Sequence, residues 1–221
     1  MIIWIQDRTG RFRQRPYFFQ DEMDHHCERI VERFNGKLYG QPAPGLRTGT
    51  LIKMIEKYAD LYLYEDLSDE GEGVQAVTYF QSGRKPIVRI ARELIYDRSQ
   101  NHHARFVLAH EYGHARFHAA AWRRRWITQE DILRCSANNV LTLDNGYDWL
   151  EWQASFLGGS TLMPHSRVER VVEAYFGRTG FVSVPKDSRQ ARDLTQRVGE
   201  LFEVSEKAAY IRLCQLGYLI G

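Results

Sequence analysis

The chain has 221 residues, of which 43% are hydrophobic and 26% charged, and its formal net charge is +2 at pH 7. This composition is typical of a globular protein with one substantial core, and so small a net charge gives no electrostatic footprint for nucleic acid or an anionic membrane. No run approaches the roughly 20 apolar residues that span a bilayer. The apolar run at residues 1–5 is too short for a signal peptide.

The first half of the chain predicts a hairpin, two helices and three strands. Residues 2–19 predict a short hairpin, whose Arg11, Arg13 and Arg15 could alternatively contact nucleic acid. Helices are predicted at 21–34 and at 50–58, the second capped by Thr50. Strands are predicted at 61–64, 74–80 and 87–91, and they should form a small mixed or antiparallel sheet with an edge at 86–91 that can bind extended substrate.

A helix is then predicted around His110-Glu111-Tyr112-Gly113-His114, with Ser99 or Asn101 as its N-cap. Residues four apart lie on one helix face, so both imidazoles can reach one cation. Glu111 lies beside that face, where it can take a proton from a metal-bound water. The alternative is a solvated helix face that carries two unrelated histidines.

His118 continues this series of histidines but is not expected to bind the same ion. Each four-residue step climbs about 6 Å along a helix, while zinc–nitrogen bonds are about 2.0–2.1 Å long. Three successive turns therefore do not converge on one cation. We expect His118 to pack or to form hydrogen bonds, and residues 122–126 to extend the helix.

Glu151 is the candidate for a third metal ligand, because it begins a second helix that runs to about residue 162 and stops before Pro164. Packed antiparallel on the first helix, this helix could present one carboxylate to the metal. Gly113, which is about 1 kcal/mol less favourable in a helix than Ala, would let the backbones approach. Alternatively, Glu151 is an exposed acid that the helix dipole favours.

The segment FVLAHEYGH ending at His114, followed by EWQA from Glu151 and by Leu-Met-Pro ending at Pro164, resembles the ImmA/IrrE family of zinc metallopeptidases. The resemblance covers residues 16–221 and implies a zincin-like catalytic helix pair. It implies that His110, His114 and Glu151 bind Zn²⁺ and that Glu111 is the general base. The substrates it implies are bacterial or phage transcriptional repressors, cut at a limited site.

The chain departs from the family pattern at two places. Ser155 stands where the family usually has Asn, so we expect altered hydrogen bonding to the metal ligands. Gly158 and Gly159 replace small helix formers, which should loosen the ligand helix. Tyr147 and His165 are the candidates for stabilising an oxyanion.

Two features of the C-terminal third are readable. Ser166 and Glu169 predict a capping box for a helix that Gly177 ends. Helices predicted at 194–202 and 205–216 resemble the helix-turn-helix-like tail of the same family. Residues 186–221 carry 6 Lys and Arg against 5 Asp and Glu, so we expect packing or partner docking rather than direct nucleic-acid binding.

Three widely spaced cysteines, Cys27, Cys135 and Cys214, form no Cys-x-x-Cys pair. We expect them to pack as small hydrophobic groups in a reducing, cytoplasmic compartment.

We therefore predict an α+β protein with an N-terminal arm and metallopeptidase domain over residues 1–180 and a helical tail over 181–221. The predicted function is a zinc endopeptidase that cleaves an intracellular protein, a helix-turn-helix repressor in particular, and that contacts no membrane. The alternatives are a DNA-binding regulator with a vestigial metal site and a structural zinc protein. An intact Glu111 favours the enzyme, whereas a fourth strong ligand in place of water would favour the structural site.

Overall fold

The computed structural model describes residues 3–7, 12–39, 45–81, 83–124, 131–136, 149–177 and 183–221. The chain begins with an antiparallel hairpin of β1 (Ile3–Gln6) and β2 (Gln14–Tyr17), which confirms the predicted arm. Two helices follow, α1 (Gln20–Tyr39) and α2 (Thr48–Tyr58). Thr50 lies inside α2 rather than at its cap, because the helix begins one residue after Arg47. In the described parts of the chain, no helix is long and apolar enough to cross a membrane.

Four strands form a small mixed sheet, as predicted: β3 (Asp60–Glu65), β4 (Val74–Phe80), β5 (Ile87–Ala91) and β6 (Asp131–Ser136). Their order is β3-β5-β4-β6, with β3 and β5 parallel and the other neighbours antiparallel. The predicted edge at 86–91 is therefore wrong, because β5 is paired on both sides. Within the described residues the edges are β3 and β6, and the sequence had not predicted β6.

The helix that carries His110 follows β5 in the chain. A short α3 (Arg92–Tyr96) and a 3₁₀ turn lead into α4 (Asn101–Gly113), whose N-cap is Gln100 because the 3₁₀ turn already occupies Ser99. The chain then widens into a π-helical turn over His114–His118 and continues as α5 (Ala119–Arg124). The predicted extension is confirmed as far as Arg124, and residues 125 and 126 lie outside the described chain.

The remaining elements are α6 (Trp149–Leu162), α7 (His165–Phe176), α8 (Arg189–Phe202) and α9 (Glu206–Gln215), with a small parallel pair of β7 (Val184–Pro185) and β8 (Leu219–Ile220).

The predicted capping box at Ser166 is wrong. Pro164 is the N-cap of α7, and the Ser166 hydroxyl instead hydrogen-bonds Glu28 on α1. The two tail helices are capped by Ser188 and Ser205, whose hydroxyls accept backbone N–H groups.

The C-terminal helices pack on the rest of the chain through one shared core. Leu194 and Leu213 belong to the same buried hydrophobic cluster as Leu108 of α4. A buried ion pair, with Arg212 Nη2 at 2.6 Å from Asp24 Oδ1, joins α9 to α1. Removing one partner of a buried pair leaves an uncompensated charge, so this contact ties the tail firmly to the core. The predicted boundary between residues 180 and 181 lies outside the described residues.

Helices α4 and α6 pack with their backbones nearly in contact. A Cβ atom added at Gly113 would lie 3.1 Å from the Cα atom of Ala154, and one added at Gly158 would lie 3.2 Å from the backbone nitrogen of His110. The expectation that Gly113 admits a neighbouring backbone is therefore confirmed. Gly158, which we expected to loosen its helix, is also a second point of close approach between the two helices.

We predict that Gly158→Ala destabilises the protein, whereas Gly159→Ala does not. The added methyl group at position 158 meets the His110 backbone, and overpacking of this kind costs about 1–3 kcal/mol. At Gly159 the nearest atom is Cδ of Arg212 at 3.9 Å, an ordinary contact. Because Ala is about 0.5–1 kcal/mol more favourable than Gly inside a helix, Gly159→Ala should raise the free energy of unfolding by about that amount. Urea denaturation of both variants measures the difference, and equal stabilities would contradict the close packing at Gly158.

Candidate metal centre

Three donor groups from two helices converge at the interface of α4 and α6. His110 Nε2 lies 3.0 Å from His114 Nε2 and 3.0 Å from Glu151 Oε2, and His114 Nε2 lies 3.4 Å from Glu151 Oε1. The two histidines are 0% and 1% exposed, whereas the Glu151 side chain is 21% exposed. The group can therefore hold a metal ion that is reached from the Glu151 side.

The spacing of these donors is close to that around a small tetrahedral cation. Around an ion with bonds of about 2.0–2.1 Å, tetrahedral donors lie about 3.3 Å apart. The two imidazole nitrogens lie 3.0 Å apart, and Glu151 approaches each of them with a different oxygen, Oε2 at 3.0 Å from His110 and Oε1 at 3.4 Å from His114. Burial opposes ionisation of Glu151, but His114 and His110 outweigh burial and hold the pKa of Glu151 well below its ordinary value. The third donor is therefore an anionic carboxylate.

Glu111 lies beside this group and is held by the sheet. The hydroxyl of Thr78 on β4 donates a hydrogen bond to Glu111 Oε2. The other oxygen, Oε1, is buried and has no hydrogen-bond partner among the described residues. Burial raises the pKa of Glu111, and His114 and His110 offset only part of that rise. A carboxylate with a raised pKa is a stronger proton acceptor once it is ionised.

Cys135 on β6 also lies at the site. The sequence analysis did not predict this position for it. Donor atoms of His110, Glu111 and Cys135 all lie within 4.8 Å of one another and form a second group that could hold a metal ion. Cys135 is buried, as expected, but it does not merely pack as a small hydrophobic group. Burial, reinforced by Glu111 and Glu151, holds the pKa of its thiol well above the ordinary value, so the sulfur keeps its proton when no cation is present.

A chain of hydrogen bonds behind His114 sets which of its ring nitrogens carries the proton. The Gln153 amide donates to the carbonyl oxygen of Pro16 at 3.4 Å, so its Oε1 accepts from Nε2 of His118 at 3.2 Å. His118 Nδ1 is then unprotonated and accepts from His114 Nδ1 at 2.9 Å. The proton of His114 therefore lies on Nδ1, which leaves Nε2 as the donor atom for a metal. His118 acts through hydrogen bonds, as expected.

The other predicted residues differ in how close they come to the centre. Ser155 Oγ lies 3.2 Å from His110 Nδ1, so its hydroxyl is a hydrogen-bond partner of one of the two imidazoles. His165 is the first residue of α7, half-buried, and belongs to neither metal-binding group in the described structure. Tyr147 lies outside the described residues.

The residues that sequence reasoning missed are Thr78, Cys135 and Gln153. Alternation along β4 could have shown that Thr78 faces the same side as the buried Ala76, but not which helix covers that face. Gln153 is two residues after Glu151, and only its burial, with 2% exposure, marks it as a structural partner. Cys135 had no signal, because its strand was not predicted.

We predict that His118→Phe weakens metal binding about 10- to 100-fold, the usual effect of removing the group that orients a ligating histidine. His103→Phe is the matched control, because His103 on α4 also hydrogen-bonds a glutamine, with Nε2 at 2.7 Å from Gln75 Oε1, but belongs to neither metal-binding group. Competition with a coloured zinc chelator measures both affinities. Equal affinities of the two variants would contradict the relay through His118.

Comparison with known proteins adds no family to this picture. No family model matches the chain, and no curated protein matches its sequence. The resemblance noted in the sequence therefore stays a prediction, and the chemistry of the centre has to be argued from its own residues.

Proposed function

We propose that the chain is a zinc-dependent endopeptidase that binds Zn²⁺ through His110, His114 and Glu151 and uses Glu111 as its general base. The observation that carries the proposal is the position of Glu111 Oε1, buried and unpartnered in the described structure, beside three converging donors. A buried carboxylate oxygen without a partner is uncommon and needs an explanation, and a role as proton acceptor supplies one.

Two imidazoles and one carboxylate suit a catalytic zinc site. Such sites have three protein ligands and leave the fourth position to water or substrate, whereas structural sites are closed by four. The same donor types also occur in non-haem iron sites, so the metal has to be identified by analysis. Zinc is favoured because Glu111 adjoins His110 on the same helix, the arrangement in which a glutamate serves as base for a zinc-bound water.

The chemistry divides between the ion and the chain. When bound, zinc polarises the scissile carbonyl and lowers the pKa of its water to about 7. Glu111 accepts the water proton on Oε1 and passes it to the leaving amine, while Thr78 holds Oε2 and so fixes the orientation of the carboxylate. The Glu151 side chain is 21% exposed, unlike the two buried histidines, so substrate enters the site from the side of Glu151.

The sheet edge suggests an extended polypeptide as substrate. β6 pairs with β4 on one side, is an edge among the described strands, and brings Cys135 next to Glu111. An edge strand captures an extended segment through backbone hydrogen bonds and leaves sequence choice to side-chain pockets. The substrate proposed is an exposed linker of an intracellular protein, with a helix-turn-helix repressor as the candidate that the family resemblance supplies.

The competing function is a DNA-binding regulator, and the charges of the tail speak against it. Arg212 is buried in its ion pair with Asp24 and cannot contact a phosphate. Arg197 is paired with Asp193 at 3.2 Å on the surface of α8. In the arm, the guanidinium of Arg15 stacks 5.0 Å from the ring centre of Trp149. These three arginines are engaged within the chain, and residues 186–221 carry 6 Lys and Arg against 5 Asp and Glu, without the basic excess that binding to DNA phosphates normally needs.

We predict that Glu111→Gln keeps the metal and the fold but lowers cleavage by about 10²- to 10⁴-fold, the share that a general base supplies. Glutamine preserves the shape of the side chain and its contact with Thr78 but cannot accept the proton. His110→Ala and His114→Ala should lose most of the bound zinc, because two ligands hold it poorly. Metal content and single-turnover cleavage, measured on the same preparations, test the assignment. Metal loss or undiminished proteolysis in Glu111→Gln would contradict it.

We predict selective cleavage rather than DNA binding. Incubated with the helix-turn-helix repressor encoded next to its own gene, the wild-type chain should cut one linker and leave casein nearly intact. A gel-shift assay run beside the cleavage assay tests the competing function with wild type, Glu111→Gln and a variant with Arg13 and Arg15 neutralised. Tight specific DNA binding that depends on the two arginines, without cleavage that depends on Glu111, would overturn the protease proposal.

A further inference from the structure

Among the described residues, Cys135 is the possible metal ligand at the centre to which the proposed function gives no role. Its sulfur lies within 4.8 Å of donor atoms of His110 and Glu111. We infer that Cys135 is a ligand of the bound metal in the resting protein, at the position where the catalytic water would bind. This inference rests on the proposed function, because it concerns how that same centre is kept inactive.

The sheet aims Cys135 at the centre. Cys135 pairs with Ala76, which lies two residues from Thr78 on β4, so all three side chains project from the same face of the sheet. Thr78 contacts Glu111 from that face. The pairing of β4 with β6 slips by one residue between Val74 and Ala76, directly beside Cys135. Irregularities of this kind re-aim side chains next to functional sites.

The sulfur lies on the His110 side of the donor group. In a tetrahedral site with zinc–sulfur bonds of about 2.3 Å, a sulfur lies about 3.6 Å from a ligating imidazole nitrogen. Cys135 Sγ lies within 4.8 Å of a ring nitrogen of His110 but is not grouped with His114 and Glu151, so β6 has to carry the sulfur toward the helix pair before it can bind the same ion. β6 is paired on one side within the described sheet, so it can shift without breaking a second ladder of hydrogen bonds.

A second, independent observation points to the same place. Glu111 is 1% exposed, and its Oε1 has no hydrogen-bond partner among the described residues, although it belongs to the same group as Cys135. Ligation replaces the S–H bond with a sulfur–metal bond and releases the proton to solvent. The thiolate then occupies the position of the water, beside the buried oxygen of Glu111 that would otherwise take up the water's proton.

Ligation by Cys135 makes the centre latent rather than permanently structural. An extended segment that adds to β6 displaces the strand that carries the thiolate, so binding of substrate and release of the sulfur are coupled. Neither of the other two cysteines can do this, because Cys27 donates to the carbonyl oxygen of Leu157 and Cys214 lies on α9 beside Tyr210.

Cobalt substitution tests the inference without relying on activity. We load the metal-free full-length chain with Co²⁺ and record its absorption. Wild type should show a thiolate-to-cobalt charge-transfer band in the near ultraviolet together with the visible bands of tetrahedral cobalt. Cys135→Ser and Cys135→Ala should lose the first band and keep the others, and Cys214→Ser should keep both. Cleavage of the repressor by the zinc-loaded Cys135→Ala variant should be at least severalfold faster than that by wild type.

The outcomes separate this inference from the proposed function. Bound cobalt without the charge-transfer band in wild type, or a band that persists in Cys135→Ala, would overturn ligation by Cys135 and leave the protease proposal standing. A band that depends on Cys135, with no cleavage that depends on Glu111, would support ligation and overturn the protease proposal in favour of a structural site. Failure of the wild-type chain to bind cobalt at all would overturn both.

Discussion

The close contact between α4 and α6 is the constraint on which the rest of the structure depends. His110 and His114 come from one helix and Glu151 from the other, and their donor atoms lie 3.0 to 3.4 Å apart. The same two helices approach each other closely at two glycines. Gly113 and Gly158 permit this, because each faces backbone atoms of the opposite helix. The packing of two helices therefore determines whether the three donors can bind one ion.

Bringing so many polar groups into a core is unfavourable unless they satisfy one another. His110, His114, His118 and Gln153 are all nearly inaccessible to solvent, and hydrogen bonds connect them into one network. Buried networks of this kind specify one arrangement strongly when they are complete. One oxygen of Glu111 has no hydrogen-bond partner among the described residues, and it belongs to the same group of possible metal ligands as the thiol of Cys135. The sequence motif alone does not show that these two groups lie together.

What could be predicted from the sequence was mostly local. The spacing of His110 and His114, the helix that carries Glu151 and the exclusion of His118 as a ligand follow from helix geometry, and the role of Gly113 follows from its missing side chain. The edge of the sheet could not be predicted, because strand order depends on pairings between distant residues and β6 carries no turn signal or clear alternation at 131–136. Cap positions also failed at Thr50 and Ser166, where an earlier residue begins the helix.

The hydrogen bond from Gln153 to the Pro16 carbonyl has a consequence for the order of assembly. It joins residues 137 positions apart, and closing so large a loop occurs only once most of the chain has collapsed. Until the arm docks, Gln153 is free to rotate, and the tautomer of His114 is not fixed. A ribosome-bound fragment that ends before residue 151 lacks Glu151, one of the three converging donors. The complete donor group is therefore a property of the finished fold.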